Sequence, residues 1–148
     1  MRKIFNTSWL AVILATIAFF ILGMIWYGVL FEDLWLSIEG ISQEQSEAQF
    51  EEMGMGKWLF FALLITFAQA IGVLWVIDRM GAKGVGDCLK TSFWLSVTIM
   101  APIIAYGCVY GDYPLKGYLM DFGHLFIAYM LMAFIYAMFR RKLDGIDG

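Results

Sequence analysis

The sequence predicts an all-α integral membrane four-helix bundle, and three observations carry that prediction. Four apolar segments, residues 9–31, 58–77, 92–110 and 122–139, each approach the ~20 residues a helix needs to cross a bilayer core about 30 Å thick. Of the 148 residues, 61% are hydrophobic and 16% charged, with a mean hydropathy of +0.74. A folded chain this small cannot bury that much apolar surface, so lipid must cover the rest. The third observation is where the ten basic residues fall. Arg2, Lys3, Arg79, Lys83, Lys90, Arg140, Arg141 and Lys142 lie on one side of the spans, with only Lys57 and Lys116 on the other. Cytoplasmic loops collect lysine and arginine, so both termini are expected in the cytoplasm of an inner-membrane protein. The pieces outside the spans are short, and a single domain over residues 1–148 is expected.

The first segment runs without a charge from Trp9 to Phe31. Arg2 and Lys3 ahead of it imitate a secretory signal. The apolar run is too long for one, and large aromatics stand where cleavage needs small residues, so a retained span is expected. Trp9, Trp26, Tyr27, Trp35 and, farther on, Trp58 are expected as interfacial anchors, since amphipathic rings favour the headgroup zone. Ser8, Ala11, Ala15 and Ala18 form a stripe of small residues along which another helix can approach closely.

The loop that follows holds Glu32, Asp33, Glu39, Glu44, Glu47, Glu51 and Glu52. It would attract cations within about 8 Å at physiological salt, although an outer loop left acidic by the charge rule explains it as well. Within it, Ser42-Gln43-Glu44-Gln45 fits a capping box. That predicts a short interfacial amphipathic helix carrying Phe50 and Met53, ended by Gly54 and Gly56. Met53 and Met55 are too few thioethers to define a soft-metal site.

Span two carries Ala68-x-x-x-Gly72, a second small-residue face, beside Gln69, the most deeply placed strongly polar side chain. An amide facing lipid is costly, so Gln69 is expected against another helix or a wet cavity. The connection over residues 78–90 is glycine-rich; without a preceding strand, Gly84-Val85-Gly86 is no phosphate loop. Pro102 should kink span three by freeing the Thr98 carbonyl. Cys88 and Cys108 lie about a membrane thickness apart and cannot pair within one chain, and there is no C-x-x-C. Asp121 and His124, three residues apart, share one face of span four. Asp121 is expected at the helix start, where its charge meets the dipole. One acid and one histidine make no metal site without further ligands.

The stretch Trp26-Tyr27-Gly28-Val29-Leu30-Phe31 with Trp35 resembles the W-Y-G-P-L-F-G-x-x-W signature of a bacterial family of small membrane proteins, a domain of unknown function. The resemblance continues through Gly40-Ile41-Ser42-x-Glu44, residues 86–90, Pro102 and Pro114-Leu115. Val29 replaces the family's proline and Glu32 its glycine, which lets a helix run on past Gly28. His124 stands where the family has an aromatic. The resemblance implies a four-span membrane domain and no activity.

Three function classes remain. The first is a homo-oligomeric bundle with a transport or assembly role, associating through its small-residue faces. No carboxylate lies between Trp9 and Phe31, which disfavours transport coupled to a buried acid in span one. The second is an accessory or binding subunit of a membrane complex. The third is a membrane enzyme acting on a lipid-soluble substrate through Asp121 and His124, the least favoured. Gln69, Asp121 and His124 are the candidate ligand contacts. No catalytic residue, cofactor or metal is assigned. The expected partners are the bilayer, further copies of the chain and a membrane-protein partner. No nucleic-acid partner is expected.

Overall fold

In lipid every backbone polar group must be satisfied within its own segment, and long apolar runs without strand partners meet that demand as helices. The computed structural model describes residues 9–144, with side chains through Phe139. Arg2, Lys3 and Ser8 lie outside the described residues, as do the side chains of Arg140, Arg141 and Lys142. The chain folds into α1 (Trp9–Leu30), α2 (Glu32–Glu39), α3 (Gln43–Met53), α4 (Met55–Arg79), α5 (Val85–Tyr110) and α6 (Leu115–Asp144). No strand occurs among the described residues. Helices α1, α4, α5 and α6 are long and apolar enough to cross a membrane, which makes this an all-α multi-pass membrane protein. Their outward faces present large apolar side chains, such as Ile13 and Ile17 of α1 and Phe60 and Leu64 of α4.

Helix α6 is central: it packs on α1, α4 and α5, and α1 packs in turn on α4. The core joins Val12, Ala15 and Phe19 to Val73, Leu74 and Ile77, and to Ala128, Met132 and Tyr136. Alanines at the crossings, Ala11 and Ala15 on α1 and Ala128 and Ala133 on α6, are buried and let the helix axes approach. Ala18 is half-buried, whereas Ala68 and Gly72 are exposed on the outer face of α4. Polar side chains fasten the helices to one another. Buried Ser92 donates to the Tyr129 carbonyl at 2.7 Å, joining α5 to α6. Tyr136 donates to Asp78 at 2.9 Å, joining α6 to α4.

The outer helices follow from local capping. Glu32 and Asp33 lie in the first turn of α2, where acids suit the helix dipole. Gly40, at φ +67°, ends it in the left-handed conformation glycine tolerates. Ser42 caps α3 with the full reciprocal pair, Gln45 N to Ser42 Oγ at 3.2 Å and Ser42 N to Gln45 Oε1 at 2.8 Å. Phe50 meets Trp58 edge-on at 5.4 Å and ties α3 to α4.

Three features depart from the sequence expectation. Helices α4, α5 and α6 begin at Met55, Val85 and Leu115, ahead of residues 58, 92 and 122. Charged residues end an apolar run but not its hydrogen bonding, so the helices continue outward through Lys57, Lys90 and Lys116. Asp121 therefore lies within α6, not at its start, and side chains rather than a helix dipole meet its carboxyl group. Finally, two turns are π-helical, Trp26–Leu30 in α1 and Ser96–Met100 in α5. The second ends two residues before Pro102, which has no backbone donor, and the Thr98 hydroxyl within it donates to the Trp94 carbonyl at 2.6 Å.

Candidate functional site

The π turn that closes α1 decides which side chains meet α6. Its wider winding ends with Phe31 N donating to the Trp26 carbonyl at 2.9 Å, five residues back. Trp26 and Tyr27 thereby both turn toward α6. The Tyr27 hydroxyl donates to Asp121 Oδ1 at 2.7 Å. A second phenol reaches the same carboxyl group from the connection before α6, Tyr113 donating to Oδ2 at 2.5 Å. The Gly107 carbonyl accepts from both Gly111 N and Tyr113 N and holds that connection in place. The Tyr113 ring then lies over Gly117, where a Cβ would stand 2.6 Å from its Cζ. Lys116 Nζ donates to Ser37 Oγ at 3.1 Å, drawing α2 onto the same end of the bundle. Burial first, and then the bond to Asp121, raise the Tyr113 phenol above its ordinary pKa.

One turn along α6, His124 is 7% exposed. Its ring is walled by Tyr27, edge-on at 5.0 Å, Phe19 at 5.5 Å and Trp26 at 6.0 Å between centroids. Gly123 admits the indole of Trp26, since a Cβ there would lie 3.2 Å from Trp26 Cζ2. Trp26 Nε1 and His124 Nε2 are both buried, and neither has a hydrogen-bond partner among the described residues.

Gln69 belongs to a separate place. Its Oε1 accepts from the Tyr129 hydroxyl at 3.3 Å, and it borders a cavity of about 320 Å³ lined also by Gly72, Val73, Leu95 and Tyr129. Thus Asp121 and His124 come together with Trp26 and Tyr27, while Gln69 stands apart. Trp58 is half-buried between Phe20 and Phe50, Trp35 is half-buried and Trp9 is exposed. Tyr113, Gly117 and Gly123 complete the Asp121 cluster without having been singled out by the sequence. The one hint was Tyr113 four residues before Gly117, a large ring followed by a bare position at helical spacing.

Residues 10–137 match the model of a family described as a protein of unknown function, DUF1761. The chain belongs to this family. No curated protein and no solved structure matches it. In this DUF1761 protein the Trp26-Tyr27-Gly28 stretch supplies two walls of the Asp121 cluster, while the segment from Tyr113 to His124 supplies the rest. The two phenols hold both oxygens of Asp121 in place.

Proposed function

We propose that this DUF1761 protein is a self-associating membrane bundle with an assembly role, joined to a second copy through the outer face of α4. The observation that carries this is Gln69. Its oxygen is engaged by Tyr129, but its amide nitrogen has no hydrogen-bond partner among the described residues and opens beside the cavity next to Gly72. Ala68 and Gly72 on either side of it are exposed. A carboxamide both donates and accepts, so Gln69 is self-complementary across a two-fold axis. The small residues flanking it let two α4 helices approach to that distance. Interhelical bonds of this kind contribute about 0.6–2 kcal/mol each in membranes. The basic residues support an inner-membrane setting with both termini cytoplasmic, and the resemblance of the Trp26–Trp35 stretch supports a bacterial one. A transport role would then place any conduction path between copies, because four spans enclose little interior.

Native mass spectrometry in mild detergent tests the reading. A discrete oligomer is expected, and Gly72→Leu should shift it toward monomer by at least tenfold in the dissociation constant. A wild-type protein that stays monomeric in detergent and in bilayers overturns it. An accessory subunit bound to a different membrane protein is then the better reading.

A further inference from the structure

Trp26 and His124 face each other across the α1–α6 seam with centroids 6.0 Å apart, each with one buried ring nitrogen that finds no partner among the described residues. Gly23 lies one turn before Trp26 on the same face of α1. A Cβ built on Gly23 would meet His124 Nε2 at 3.4 Å and Cε1 at 3.7 Å, with no other neighbour inside 4 Å. The glycine therefore leaves a cradle the size of one heavy atom against Nε2. We propose that His124 Nε2 binds a single neutral hydroxyl group in this cradle, supplied by a buried water or by a lipid headgroup.

The chemistry of the histidine nitrogen selects the ligand. An imidazole Nε2 donates or accepts according to its tautomer, and a hydroxyl oxygen serves it either way, whereas a carbonyl serves only one form. The Asp121 carboxyl group stands one turn away on α6 with both oxygens already accepting, so a carboxylate or phosphate would be repelled. Phe19, Tyr27 and Trp26 wall the histidine and suit a small neutral group. Buried waters characteristically bridge such otherwise unsatisfied polar atoms. The inference does not depend on self-association, and its test reads a different residue.

His124 is the single histidine, so ¹⁵N-histidine labelling gives one residue's spectrum. The experiment is solid-state NMR of the wild-type protein in phosphatidylglycerol bilayers, with magnetisation transferred to His124 either from water or from headgroup glycerol protons. The expected result is an Nε2 resonance displaced from that of an unbonded ring nitrogen, with transfer from one of the two sources. Transfer from water alone assigns the hydroxyl to water, and transfer from glycerol protons assigns it to lipid. An unbonded Nε2 resonance with neither transfer overturns the proposal. Gly23→Ala fills the cradle with a methyl group and should abolish both the displacement and the transfer. If that variant keeps the wild-type spectrum, the proposal is overturned as well.

Discussion

Two phenols donate to the two oxygens of Asp121, from Tyr27 at 2.7 Å and Tyr113 at 2.5 Å, so a substitution there is felt on α1 and on the connection before α6 together. Asp121→Ala leaves both hydroxyls without their acceptor, at a cost of about 1–3 kcal/mol for each group that stays buried. Asp121→Asn keeps one acceptor oxygen and should lose less. Thermal unfolding in detergent should rank wild type above Asp121→Asn and Asp121→Ala last; equal midpoints would contradict the assignment. The phenol of Tyr113 adds a pH dependence. Its folded pKa is raised above the ordinary value near 10, first by burial and then by Asp121, so its stabilisation is complete below about pH 10. That stabilisation is lost only as pH rises through the raised folded value. In an alkaline absorbance titration, Tyr113→Phe should remove a tyrosine that ionises late, and an unchanged curve would count against the bond. Only part of this cluster was legible in the sequence. The spacing of Asp121 and His124 shows a shared helix face, but Tyr27 lies 94 residues from Asp121. Their meeting depends on how α1 packs on α6 and on one π turn that resets the facing of Trp26 and Tyr27. No hydrophobic period announces such a turn.

At the scale of elements, hydrophobic length gave the four spans and the Ser42 box gave α3, because both signals are local. Helix starts were harder to read. Lys57, Lys90, Lys116 and Asp121 end an apolar run without ending a helix, and α2 carries its apolar residues too briefly to show a period. The start of α6 is the informative case. Gly117 is buried in its first turns beneath the Tyr113 ring, and a Cβ there would stand 2.6 Å from Cζ and 2.9 Å from the hydroxyl. Alanine is intrinsically the better helix former, by about 0.5–1 kcal/mol. Even so, Gly117→Ala should destabilise, because the added methyl group displaces Tyr113 from Asp121 and forfeits a bond of about 0.5–1.5 kcal/mol plus the packing of the ring. Combining it with Tyr113→Phe should cost less than the sum of the two single changes, since both remove the same bond. Strict additivity in unfolding measurements would show that Gly117 does not act through Tyr113.

For the whole molecule, the charge pattern and the apolar surface have to be reconciled in one orientation. The four spans expose large apolar side chains on every helix, among them Leu14, Leu64, Ile103 and Phe134, and lipid is the solvent that suits them. The hydrocarbon core does not distinguish the two directions of insertion; the loops do. Among the described residues Arg79, Lys83 and Lys90 stand on the side of the 80–84 connection, and Lys57 and Lys116 on the side of α3, where Glu44, Glu47, Glu51 and Glu52 are all exposed. Basic residues close to span ends resist translocation, while acids contribute little, so the first side is expected to remain in the cytoplasm. Cysteine labelling in intact cells reads this directly. Cys88 is buried, and Cys108 is replaced by serine to remove the background. In that protein Gln49→Cys on α3 should react with a membrane-impermeant maleimide from outside, and Lys83→Cys only after permeabilisation. The reverse pattern would invert the molecule and place the Asp121 cluster on the cytoplasmic face. If the hydroxyl bound by His124 comes from lipid, it would then come from the inner leaflet, so the orientation decides which lipids can reach it.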